Sequence, residues 1–126
     1  MGHRHLSAEY QRKREAINRR VGAHISTSCD VLYAAYDTDT NGMPVDNLEE
    51  HPLPCGKYIF IKYGFCSGVD YVSKPVSNPT WLDIAAEANA AILFTGEFDI
   101  VILEGIIRTG DQLDGMEVVS IEMGGI

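Results

Sequence analysis

The sequence predicts an α+β domain: an antiparallel sheet of four to five strands with helices packed on one face. Three observations carry that expectation. A capped, one-sided apolar helix stands at 81–94, apolar strand-like runs lie on either side of it, and a charged helical segment opens the chain. In order, the elements are helix, undecided segment, strand, strand, helix, strand and strand, which suits helices layered on an antiparallel sheet. At 126 residues the chain is expected to form one domain, 1–126, with 1–6 as a disordered tail.

Ser7 is placed to cap a helix running to about Val21, with Gly22 expected to end it. Glu9 in the first turn and Arg19 and Arg20 near the end each match the helix dipole. The apolar stripe of Tyr10, Ile17 and Val21 is thin, so this helix should pack along a narrow seam. Residues 29–36 suit a two-turn helix or a short strand, and so brief a segment has no deciding period. The stretch 37–56 holds Gly42, Pro44, Pro52, Pro54 and Gly56 and reads as a connector with one helical turn over 46–50.

Residues 57–63 are aromatic and β-branched and read as a strand, 64–68 turn the chain, and 69–73 return it. An irregular crossing, 74–79, leads to the clearest helix. Thr80 stands three residues before Asp83, the capping-box spacing, with Pro79 just outside. Trp81, Leu82, Ala85, Ala88 and Ile92 line one face, Asp83, Glu87 and Asn89 are expected to look outward, and Thr95-Gly96 ends the element. Residues 98–107 read as a strand that is apolar on both faces, 110–115 as a turn, and 116–123 as a final alternating strand. A doubly apolar strand under helices on one side needs a second cover. A homodimer joined sheet to sheet through Ile100, Val101, Ile102 and Leu103 is the favoured cover, and the 37–56 loop folded across the sheet is the other.

Composition bounds the function classes. Apolar residues are 45% and charged residues 22% of the chain, as in an ordinary globular protein, and no apolar run approaches a membrane span. Residues 1–6 are polar and lack the apolar centre of a signal peptide, so the cytoplasm is the expected compartment. Cys29, Cys55 and Cys66 are odd in number and match no zinc spacing, which suits reduced, partly buried thiols. Charge is uneven: the first 20 residues hold six basic against two acidic side chains, a net of +4. The other 106 hold four against 16, a net of −12. An acidic body disfavours nucleic acid and anionic membrane, and the basic segment is expected against acidic surface of its own domain, a second copy or a partner.

Residues 37–42, Asp-Thr-Asp-Thr-Asn-Gly, put oxygen ligands at alternate places before a glycine. They resemble the start of an EF-hand or dockerin-type calcium loop. Strict counting puts the closing ligand on Leu48, which cannot ligate; a one-residue insertion at Pro44 brings Asp46 and Glu49 into register. Asp37, Asp39, Asn41, Asp46 and Glu49 are thus the metal candidates, with Ca²⁺ the only cofactor suggested. The preferred reading is an Asx-type turn with no cofactor.

No phosphate-binding loop, dinucleotide fingerprint, catalytic triad elbow or HExxH is present, so no catalytic residue is named and an enzyme is disfavoured. His51 and Cys55 stand four apart, and Cys66 lies in a glycine-flanked turn, but neither has an orienting acid in sequence. Asp99 and Glu104 are the acids to inspect beside a pocket. Tyr33, Tyr36, Tyr58, Tyr63, Phe65 and Tyr71 gather around the first strands and are candidates for a partner or ligand surface.

Pro79-Thr-Trp-Leu-Asp-Ile-Ala, Ile102-Leu-Glu-Gly-Ile106 and Gly115-Met-Glu-Val-Val resemble small uncharacterised bacterial proteins carried on integron mobile gene cassettes. The likeness covers roughly the last 50 residues and implies an accessory protein with no catalytic motif. The combined expectation is a non-enzymatic binding protein that self-associates and meets a protein or small-molecule partner through acidic and aromatic surface. An immunity or inhibitor protein is the sharper form of that class. A calcium-binding structural module using the 37–49 loop and an enzyme with an unrecognised pocket are the alternatives.

Overall fold

The computed structural model describes residues 8–25, 29–35, 44 and 46–125. Its elements are α1 (Ala8–Ile25), β1 (Leu32–Tyr33), β2 (Lys57–Lys62), β3 (Tyr71–Val72), β4 (Val76–Ser77), α2 (Trp81–Thr95), β5 (Ile102–Leu113) and β6 (Met116–Gly124). The α+β class is as expected, but the sheet is mixed and, among the described residues, has six strands. Its order is β1-β5-β6-β2-β3, with β4 also on β2. β1 runs parallel to β5 and β6 parallel to β2, while β5–β6, β2–β3 and β2–β4 are antiparallel. The purely antiparallel expectation fails because strands adjacent in sequence are not all adjacent in space. β6 enters between β5 and β2, pairing Tyr58 with Glu117 and Ile61 with Ser120.

α2 forms as its letters dictate. The Thr80 hydroxyl accepts from the Asp83 amide and the Asp83 carboxylate accepts from the Thr80 amide, satisfying two otherwise orphaned donors. Gly96 closes the helix in the left-handed region, its amide donating to Ile92. α1, by contrast, runs through Gly22 to Ile25. A glycine inside a helix costs only about 1 kcal/mol, and Val21 and Ile25 on either side of it keep packing against the core. Ile17 and Val21 are its buried residues, as the thin stripe implied.

One core joins both helices to one sheet face. Ile17 and Val21 of α1 and Ile84, Ala85, Ala88 and Ile92 of α2 meet Tyr58, Phe60, Leu103, Val119 and Ile121 of the sheet. Asn89, expected outward, is instead buried, 2% exposed, and its Oδ1 accepts from the amides of Asp30 and Val31. That bond pins the undecided 29–35 segment, which is extended and contributes the short β1. Leu48 lies in the core, and its carbonyl accepts from the Leu82 amide, so residues 47–50 sit at the start of α2 on the helix side.

The segment 98–101 is not strand. Phe98 and Ile100 donate to Gly96 and Glu97 in a turn, and β5 begins at Ile102. β5 then runs on through Gly110 to a two-residue turn at Asp114 and Gly115, both at positive φ (52° and 79°). An Asp-Gly pair is the favoured chemistry for such a hairpin turn, and it displaces the broader 110–115 turn expected from the two glycines.

Candidate functional site

At one end of the domain a buried carboxylate ties the 63–69 loop to the turn that follows α2. Glu97 is 7% exposed, and its Oε2 accepts from three successive amides, Phe65 at 2.8 Å, Cys66 at 2.7 Å and Ser67 at 2.9 Å. Three consecutive amides around one oxygen form an anion nest, here filled by the protein itself. Lys62 is buried beside it, with Nζ 3.7 Å from Oε1 and donating to the Tyr63 carbonyl. Oε1 has no hydrogen-bond partner among the described residues and faces that charge. The bonds from the Ser67, Cys66 and Phe65 amides outweigh burial and hold the Glu97 carboxyl down to about 2.

The loop is further fixed at Gly64. A Cβ there would fall 2.2 Å from the Val69 carbonyl oxygen, so only glycine fits, and its amide donates to Asp70. Tyr71, at the loop's far end, donates to Glu87 and meets Phe94 edge-on at 5.8 Å. Burial first, then that carboxylate, pushes its phenol up, so it stays a donor at neutral pH.

This fastening leaves apolar side chains in water. Phe65 is 74% exposed, and Tyr63, Val69, Leu93, Phe94 and Phe98 are also exposed. Asp70 and Asp99 are exposed acids on the same loop and turn. An aromatic cluster presented by a rigid, carboxylate-clamped loop can bind an apolar partner segment without first ordering itself.

The residues singled out from the sequence fall in different places. Tyr63 and Phe65 are exposed and Tyr71 is half-buried at this end of the domain; Tyr33 and Tyr58 lie in the core and present no ring to a partner; Tyr36 lies outside the described residues. The Tyr33 hydroxyl donates to Asn47, and that of Tyr58 to the Pro54 carbonyl. Phe94, Phe98 and Glu97 carry no site signal in the sequence: the two phenylalanines read as parts of regular elements, and a lone Glu after a helix-ending glycine marks nothing. Val101 and Leu103 are buried in the core beneath the helices, and Ile100 and Ile102 are half-buried.

Of the metal candidates, Asp37, Asp39 and Asn41 lie outside the described residues. Asp46 and Glu49 both hold the guanidinium of Arg20, which places part of the basic segment against acidic surface of its own domain. Among the described residues no three His, Cys, Asp or Glu side chains gather as a metal would need. All three cysteines are exposed free thiols, not the partly buried ones expected. Glu104 is half-buried with its carboxylate over the backbone of Gly124. Among the described residues no helix is long and apolar enough to cross a membrane. No family model, curated protein or solved structure matches the chain.

Proposed function

We propose that this protein works by binding, presenting its aromatic end to a protein partner whose contacting segment is apolar and basic. One observation carries the reading: Phe65 is 74% exposed on a loop clamped by three amide bonds to a buried carboxylate. A rigid, exposed aromatic is what interface anchors are made from, since little conformational freedom is lost on contact. The basic character of the partner follows from the acids beside the cluster and from the net −12 of residues 21–126. An inhibitor or immunity role toward a basic protein belongs to this class. The test is selection of peptides from a displayed library. Enriched sequences should combine Lys or Arg with aromatic or aliphatic residues, and Phe65→Ala should weaken their binding roughly 30-fold, the effect of losing about 2 kcal/mol at an anchor, without moving the melting temperature. Binding indifferent to Phe65→Ala would overturn it.

Self-association through the sheet is the second part of the reading, favoured by the face turned away from the helices. Register places Val72, Ile61, Ser120 and Ile107 in one row across β3, β2, β6 and β5. Val72 and Ile107 are 48% and 54% exposed, and residues 47–50 lie on the opposite, helical side. A second copy laid face to face would cover this row. Light scattering at micromolar concentration should then give twice the chain mass, and Ile107→Glu should restore the single mass by burying an unpaired charge. A single-chain mass for the unsubstituted protein would end this part of the proposal.

A further inference from the structure

Away from the aromatic end, His51, Leu53, Cys55 and Asn78 line an open cavity of about 350 Å³. Two of these side chains are soft or borderline metal ligands; the local structure holds the histidine ring and the backbone next to the thiol. The His51 ring meets the Pro79 carbonyl through Nδ1 at 3.3 Å. A carbonyl can only accept, so Nδ1 carries a proton, and the lone pair of the neutral ring lies on Nε2. Metal-binding histidines are held in this way, the far nitrogen tied to a carbonyl so that the near one is basic and oriented. The segment bearing Cys55 is clamped from the other side. Asn78 and Gly56 exchange two hydrogen bonds, each 2.7 Å, one from the Asn78 amide to the Gly56 carbonyl and one from the Gly56 amide to Asn78 Oδ1. Pro52 and Pro54 stiffen the four-residue span between the histidine and the thiol.

We propose that this cavity is a two-ligand site for a soft monovalent cation of the Cu(I) class, held by the Cys55 thiolate and His51 Nε2. Ligand number decides the class. Zinc takes four protein ligands in closed sites and at least three in open ones. Among the described residues no three such side chains gather anywhere. A thiolate with one imidazole suits a soft ion satisfied by two donors, and the buried Leu53 beside them favours an ion that gives up water readily. Binding is ligand exchange: the thiol proton goes to solvent, a Cu–S and a Cu–N bond form as the four Cu–N bonds to two bicinchoninates break and both chelators leave, and copper stays Cu(I).

The test uses protein carrying Cys29→Ser and Cys66→Ser, both exposed positions, so that one thiol remains. It is mixed anaerobically with the coloured Cu(I) complex of bicinchoninate. The colour should fall by one equivalent of copper, Cys55→Ser should abolish the transfer, and His51→Asn should weaken it about tenfold or more. Asparagine keeps an N–H facing Pro79 while deleting Nε2, and an unchanged melting temperature confirms that the fold is intact. No transfer from the complex, or equal transfer by His51→Asn protein, would overturn the assignment.

Discussion

Glu97→Gln is expected to lower the unfolding free energy by about 3–5 kcal/mol, the cost of breaking a buried ion pair by removing one partner. Glutamine offers one neutral oxygen to three amides and sets an NH₂ group among donors, while Lys62 loses its countercharge. In a domain this size the melting temperature should fall by roughly 10–20 °C. The effect has a pH signature. The folded carboxyl sits at about 2, below its ordinary 4.5, so it contributes fully above pH 4.5 and the contribution is lost as pH falls toward 2. Across that window the unfolded chain takes up a proton that the folded one refuses. Denaturant titrations from pH 6 to 2 should therefore show a shallower acid loss in Glu97→Gln, by up to one proton. Some slope survives in both proteins, because Arg20 and Arg108 also depress Glu49 and Glu117. Equal slopes would show that the nest does not hold a charged carboxylate.

Asn89→Leu should be nearly as damaging, at about 2–4 kcal/mol. Leucine matches the shape of asparagine but leaves the amides of Asp30 and Val31 without their acceptor, and an orphaned buried donor costs about 1–3 kcal/mol. The loss should begin locally. Hydrogen exchange at residues 30–33 should accelerate before the rest of the sheet, because this short edge segment is otherwise held chiefly through the Val101 and Leu103 carbonyls, Asn18 and Arg14. Uniform acceleration across all strands would show that Asn89 supports the core at large.

These two residues mark where the sequence stops being legible. α2 was readable because its determinants are neighbours: Thr80, Asp83 and Gly96 act within a turn of the backbone they cap. Asn89 reads as outward because helical spacing marks it as polar, and nothing local reveals that a donor pair from residues 30 and 31 lies above it. Phe98 and Ile100 looked like strand because their letters are apolar, yet the backbone there is still turning away from α2. The Asp114-Gly115 turn was present in the letters but was masked by the earlier glycine at 110. Strand order was out of reach, since pairing Ile59 with Val118 depends on which apolar faces meet after the chain has folded back. At the candidate site, Tyr63 and Phe65 could be read from a turn flanked by aromatics, but the carboxylate that makes the turn rigid lies some thirty residues away in sequence.

The central seat of β6 bears on how the protein is made. A ribosome delivers residues 57–62 well before 116–124, yet the two strands lie side by side. Until the later segment emerges, β2 lacks its neighbour on one flank and Phe60 lacks Val119 beside it. Nascent chains should accordingly stay protease-sensitive and dependent on holding chaperones until synthesis has passed β6, then become resistant in a single late step.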